Sequence, residues 1–434
     1  MAHPRGRPVV SPNLLLDQHV RERVAAGQDV LHLGFGESRL PPPRVLVDRL
    51  AAGAVHQDYG PVAGRPVVRA EAAGYFARRG LPTAPDQVLL GPGAKALLLA
   101  VLAAVPGDVV LPTPCWVTYA PQTRLLGRRA VRVRAPEGCG GVPDPDGLAR
   151  AVPAARAAGA DPRLLVLTLP DNPTGALAPP GLVRDVCAVA ARFGLLVVSD
   201  EIYRDLLHDP AAAVLSPAEA LPERTVVLTG LSKSLSLGGW RVGVVRFPDG
   251  SGGRTLRERV TALASESWSA LAGPQQEVAR VAFAEPPEVR DHVRASARLH
   301  GAVTAAVASL FRAAGARCPE PGGGFYLYPD LEALRPVLAS RGVVDSPSLQ
   351  RMLLDDFGVA VLGGHNFGDD PGALRFRAAT SLLHGATPKE RRAVLRAADP
   401  VAAPPVARAL TRLRAVLGEL ASPSCGAAWV RGAR

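Results

Sequence analysis

From about Leu81 onward, short apolar runs alternate with longer amphipathic stretches: QVLL and GAKALLLAVLAAV, DVVLPTP, RLLVLTLP and PGLVRDVCAVAARFG, LLVVSDE, TVVLTGLSK. Runs of four to seven β-branched and aliphatic residues suit strands buried on both faces, and the stretches between them have the length and period of crossover helices. That pattern predicts an α/β fold, a three-layer lobe built on a mainly parallel sheet. Loops at the carboxyl ends of such strands line the ligand crevice. Asn172, Asp200 and Lys233 each follow one of these runs, so residues far apart in sequence are expected to meet in one cavity.

The rest of the chain sets the domain plan. GGGFYLYPDL, GVAVLGG and ALRFRAATS read as short strands among helices, a smaller α+β lobe. We expect residues 1–50 to join that lobe, 51–300 to form the large lobe, 301–421 the small one with a helix over roughly 403–420, and 422–434 a frayed tail. No apolar run approaches the roughly 18 residues of a membrane span, and the N-terminus has no apolar signal core, which predicts a cytoplasmic protein. Five scattered cysteines, never paired as CxxC, suit reduced thiols and give no support to a disulfide frame or a metal site. The formal charge of +11 is spread along the whole chain, with no basic block interleaved with aromatics, so nucleic acid is not an expected partner.

Only three of the 50 basic residues are lysines: Lys95, Lys233 and Lys389. Arginine supplies surface charge here, and it cannot replace lysine as an imine-forming amine because its guanidinium stays protonated. Lys233 lies in GLSKSLSLGGWRVG, after a predicted buried strand and eight residues before Arg241. An amine there can reach an aldehyde while a guanidinium clamps a phosphate. Read alone, the same residues are a helix-flanking lysine and an unrelated arginine. Asp200 in SDEIYRDL is equally readable as a strand-end helix cap, DNPTG as a turn, and Trp116 in LPTPCWVTYAP as a core residue.

Together and in this order, these segments resemble the class I and II aminotransferases, fold-type I enzymes that use pyridoxal 5′-phosphate. The lysine motif (S/G)xSKxxxxxGWRxG is intact, and the likeness extends from about residue 30 to 385. The resemblance implies that Lys233 holds the cofactor as a Schiff base and moves the substrate proton, and that Asp200 keeps the pyridine nitrogen protonated. It further implies that Asn172 and Tyr203 donate to the phenolate oxygen and that Trp116 stacks on the ring. Gly93, Ala94 and Lys95 of LGPGAKALLLA match the phosphate-binding turn, at a helix start where backbone N–H groups receive an anion. Arg241 completes that site, with Ser232 as candidate substitute for the serine that many relatives carry at the position of Gly230.

For the substrate, the resemblance implies Gly36 along its path and Arg375 as the clamp on the α-carboxylate. Arg377, one strand period on, competes for that role. Glu37 is a candidate for a substrate's cationic side chain, against the reading of a solvent-facing loop glutamate. Tyr59, in QDYGPVAGRP, matches the tyrosine that crosses to a partner's phosphate, which makes the expected active unit a homodimer. The expected reaction is transfer of an amino group from an L-amino acid to a 2-oxo acid. The same residues also serve elimination, replacement or ring formation, for instance on an S-adenosylmethionine-like substrate. A regulator that binds the cofactor and reads DNA is the alternative from another class; the pattern begins near residue 30, which leaves no room for its DNA-binding domain.

Overall fold

The computed structural model describes residues 10–422; the expected tail and Cys425 lie outside the described residues, apart from Ser422. Seven strands form the central sheet in the spatial order Val88–Gly91, Gly243–Arg246, Thr225–Gly230, Leu196–Asp200, Pro162–Thr168, Asp108–Thr113 and Ala130–Arg134. All neighbours are parallel except that Gly243–Arg246 runs against both of its partners. Every residue of Thr225–Gly230 is buried, as the unbroken apolar run requires of a strand covered on both faces.

Alternation along these strands sorts side chains into two cores. Val109, Leu111, Leu164, Val166 and Val198 point to one face and pack with Leu97 and Val101 of helix Ala94–Ala104. Val110, Leu165, Leu167 and Val197 point to the other and meet Val183 and Val186 of helix Pro180–Phe193. Each such fully buried Val or Leu contributes about 1.5–3 kcal/mol relative to exposure. Helix Pro180–Phe193 stops at Gly194, whose φ of 70° is the left-handed conformation that ends a helix without a Cβ penalty.

In the smaller lobe, Phe376–Ala379 is flanked antiparallel by Leu362–Gly363 and Tyr326–Leu327. Leu31–His32 pairs in parallel with Val359–Ala360, so the beginning of the chain is built into this lobe. Leu31, Leu33 and Leu40 share a core with Leu353, Phe376 and Leu410, the last on helix Pro404–Ala421.

Two of the expected boundaries fall inside helices. The one at 50/51 cuts helix Arg44–Ala52, whose buried Leu46 packs with Val68, Phe76 and Val278 of the large lobe, so the crossover between lobes precedes residue 44. The one at 300/301 cuts helix Pro287–Ala313, a single amphipathic rod. Its Val289 belongs to the large-lobe core, while Leu299, Val303 and Val307 belong to the small-lobe core. Among the described residues, no helix is long and apolar enough to cross a membrane, and no cluster of three metal-ligating side chains occurs.

Candidate active site

The sheet register brings the functional residues together. Asp200 ends its strand opposite Thr168 and Leu228, and Lys233 follows in the short helical turn Leu231–Ser234 that begins where Thr225–Gly230 stops. Lys233 Nζ donates to the Gly36 carbonyl at 2.7 Å, which closes the cleft with the N-terminal segment. Ser236 Oγ and Ser38 Oγ, 2.6 Å apart, pin the same two loops. The Lys233 amine is pushed down to about 8, first by burial and then by Arg377, Arg241 and Lys95, with Glu37 opposing.

Asp200 is buried and accepts from Tyr119 Oη at 2.9 Å; Tyr119 is also 2.7 Å from Thr168 Oγ1. Burial pushes the Asp200 carboxyl up to about 6, while Tyr119, the Ile202 N–H and Lys233 pull it back. An ionised carboxylate held this way is short of one cationic partner. Tyr119 was missed in the sequence although it stands three residues after Trp116; the two rings meet edge to face at 5.4 Å.

The phosphate-type cradle is made by close backbone approach. Gly93, at φ 90°, precedes helix Ala94–Ala104, and a Cβ on it would lie 2.3 Å from Arg241 Nη2. A Cβ on Gly243 would lie 2.5 Å from the Gly93 carbonyl carbon and 2.6 Å from the Ala94 nitrogen. These glycines leave the helix start bare beside the Arg241 guanidinium, which is tethered by Gly238 O at 2.8 Å and Pro92 O at 3.2 Å. Lys95 Nζ lies 5.2 Å from the Trp116 ring centroid. Ser232 sits in the turn next to Lys233 and makes no side-chain hydrogen bond among the described residues.

Arg375 and Arg377, the two candidates for the carboxylate clamp, stand in different surroundings. The strand begins only at Phe376, and Arg375, before it, is held by Asp330 at 2.9 Å and Asp369 at 3.2 Å. Two carboxylates already occupy its fork. Arg377 is 1% exposed and sends Nη1 to Asn172 Oδ1 at 3.1 Å and Nη2 to Gly34 O at 2.8 Å. Its guanidinium lies over Tyr326 at 4.9 Å and Phe367 at 5.1 Å, and its buried Nε has no partner.

Tyr203 Oη is 2.7 Å from Tyr326 Oη, and a Cβ on Gly36 would lie 2.1 Å from the latter. Tyr326 was not singled out in the sequence; its signal was GGGFYLYPDL, read there only as strand. Glu37 accepts from Arg39 Nε at 2.6 Å and is already paired. Tyr59 is 82% exposed and far from burial in its own chain.

The model of the family "Aminotransferase class I and II" matches residues 28–382. The chain belongs to the class I and II aminotransferases. It is 32% identical to an aspartate aminotransferase of Geobacillus stearothermophilus over 382 residues, 86% of this chain and 92% of that one. An aspartate aminotransferase of Streptomyces avermitilis is 31% identical over 377 residues, covering 84% and 88%. The fold matches the solved structure of aspartate aminotransferase from Thermus thermophilus with maleate at a TM-score of 0.79, with 24% identity over 96% of this chain and 99% of that one. This aminotransferase therefore has the fold-type I architecture, and its relatives favour transamination over the elimination and ring-forming alternatives.

The residues present fit the family's cofactor. A buried carboxylate with no salt bridge among the described residues suits a protonated pyridine nitrogen, a side-chain-free helix start beside a guanidinium suits a phosphate, and an amine lowered to about 8 suits Schiff-base formation.

Proposed function

We propose that this aminotransferase holds pyridoxal 5′-phosphate on Lys233 and transfers an amino group from an L-amino acid to a 2-oxo acid in two half-reactions at one site. The observation that carries this reading is the meeting of one amine, one buried acid and one buried guanidinium, Lys233, Asp200 and Arg377, from three separate segments around one cleft.

When bound, the cofactor supplies an electron sink for the pair left as the substrate Cα–H bond breaks. Asp200 holds a proton on the pyridine nitrogen, and Tyr119 keeps that carboxylate oriented. The Gly93 turn, whose own N–H donates to Gly91 O at 2.7 Å, presents the Ala94 and Lys95 N–H groups, which with Arg241 and Ser232 take the phosphate, and the Lys95 side chain adds positive charge beside Trp116. Asn172 and Tyr203 serve the phenolate oxygen, and Trp116 covers the ring. Arg377, already oriented by Asn172, grips the α-carboxylate and so aims Cα–H at the lysine. Lys233, as a neutral amine, then carries the proton away from Cα. Gly36 lines the path, and Glu37, tied to Arg39, sits at its edge.

The proposed active unit is a homodimer in the cytoplasm, with Tyr59 of the partner subunit completing the phosphate site; the exposure of Tyr59 and of Val55 and Val67 nearby supports this. Aspartate is the first donor to try, because the two curated relatives above are named for it.

Borohydride treatment of the purified yellow protein followed by peptide mass analysis tests the reading. A pyridoxyl adduct is expected on Lys233 and absent from Lys233→Ala. A wild-type adduct on a residue other than Lys233, or a protein whose absorbance no amino acid changes, overturns it.

A further inference from the structure

Tyr326 occupies a junction that the reaction described above leaves without a task. Its hydroxyl is 2.7 Å from Tyr203 Oη and 3.5 Å from the Gly36 carbonyl oxygen, the same oxygen that accepts Lys233 Nζ at 2.7 Å. Both phenols are buried. They also come from different lobes: Tyr326 starts the small-lobe strand Tyr326–Leu327, and Tyr203 follows the large-lobe strand Leu196–Asp200.

Two hydroxyls in contact share one proton between their oxygens, so the direction of donation matters. If Tyr203 donated to Tyr326, the Tyr326 proton would be left with the Gly36 carbonyl, a contact at the outer limit of hydrogen-bond length. If Tyr326 donates to Tyr203, the short contact is used and the Tyr203 proton is free to point into the cleft. Arg377 favours the second arrangement. A guanidinium 4.9 Å from the Tyr326 ring centroid withdraws negative charge from it and makes that phenol the better donor. Burial raises both phenols, Tyr203 the further of the two, and Arg377 relieves Tyr326.

We propose that Tyr326 is a positioning residue: its hydroxyl donates to Tyr203 and thereby fixes the Tyr203 proton toward the phenolate oxygen of the bound cofactor. This rests on the cofactor reading given under the proposed function. A donor that itself accepts a hydrogen bond is polarised and donates more strongly, so the chain Tyr326 to Tyr203 to cofactor favours the phenolate and weakens proton binding at the neighbouring Schiff-base nitrogen. It also explains why residue 36 carries no side chain: a Cβ there would lie 2.1 Å from the Tyr326 hydroxyl.

The test is a spectrophotometric pH titration of the cofactor-loaded protein, with cofactor dissociation constants measured beside it. Tyr326→Phe keeps the ring and loses the donor. The pH of the absorbance transition should rise, by about threefold to tenfold in the acid constant, the range expected for one neutral hydrogen bond. The dissociation constant should rise with it. In a Tyr203→Phe background the same substitution should produce no further shift, because the effect passes through the Tyr203 hydroxyl. Placing 3-fluorotyrosine at position 326 keeps size and fold, makes the phenol more acidic, and should lower the transition pH. An unmoved transition in Tyr326→Phe or the fluorinated protein, or equal shifts with and without the Tyr203 hydroxyl, overturns the role of Tyr326 alone. A wild-type protein that takes up no cofactor overturns the reading on which it rests.

Discussion

Arg377 donates to the carboxamide oxygen of Asn172 across 3.1 Å, tying the small-lobe strand Phe376–Ala379 to the loop after the large-lobe strand Pro162–Thr168. One contact thus links the residue proposed to grip the substrate to the residue proposed to grip the cofactor. An Asn172 amide whose oxygen is occupied by Arg377 has its NH2 donors left for the cleft.

Substituting the two neighbouring arginines separates their tasks. Arg377→Lys removes a bidentate fork and should raise the KM for the amino acid by about 10- to 100-fold, equivalent to one charge-assisted pair. Arg375→Lys should leave the KM within about threefold but lower stability by up to about 1 kcal/mol, since Asp330 and Asp369 keep a cation but lose the fork that pairs with both. Steady-state kinetics and urea unfolding of both variants decide the matter; the opposite pattern restores Arg375 as the clamp.

Gly243→Ala brings a methyl group to within 2.5 Å of the Gly93 backbone, where no flexible side chain can give way. We expect a loss of about 1–3 kcal/mol of stability, the usual cost of overpacking, and at least tenfold weaker cofactor binding as the helix start is displaced. Gly239→Ala, with open space around it, is the control and should bind normally. Equal affinity in the two variants would remove the cradle from the binding site.

The depressed Lys233 amine makes two pH statements with one sign. Its value is about 8 in the folded protein against an ordinary 10.5, so the fold releases this proton more readily than the unfolded chain does. The apoprotein therefore gains stability from this group as pH rises from about 8 toward 10.5, and none from it below 8. The rate of cofactor attachment, which needs the neutral amine, should climb through pH 8 and level off. Stopped-flow loading of the apoprotein measures it, and a rate still climbing through pH 10 contradicts the lowered value.

Tyr59→Phe should weaken phosphate binding only in the assembled protein. Sedimentation should give a dimer for wild type and variant alike, with a cofactor dissociation constant raised about threefold to tenfold in the variant, the effect of one lost hydrogen bond. A monomer that loads and turns over as well as any dimer rules out the shared site.

Much of this is legible in the sequence. Strand-forming apolar runs fixed where Asp200, Asn172 and Lys233 fall, because a polar residue at the end of a buried strand has only the crevice to enter. Backbone glycines at 36, 93 and 243 follow from close approaches that a sequence hints at but cannot measure. The different surroundings of Arg375 and Arg377 are not legible in the sequence, since they depend on the strand starting one residue later than Arg375 and on two distant carboxylates, Asp330 and Asp369. Tyr119 and Tyr326 were hidden for a related reason. Their use depends on partners brought from other strands, Asp200 and Tyr203, and nothing in their own segments distinguishes them from core tyrosines.

The pairing of Leu31–His32 with Val359–Ala360 has a bearing on how the chain is made. During synthesis the first segment is made long before its strand partner, and once the last strand of the large sheet, Gly243–Arg246, has been made, Leu31, Leu33 and Leu40 still await Leu353, Phe376 and Leu410. Until then the Gly36 carbonyl has no fixed place from which to receive Lys233. All strands of the large sheet thus precede, in the order of synthesis, the core that holds the segment carrying Gly36, a core that includes Leu410 of helix Pro404–Ala421.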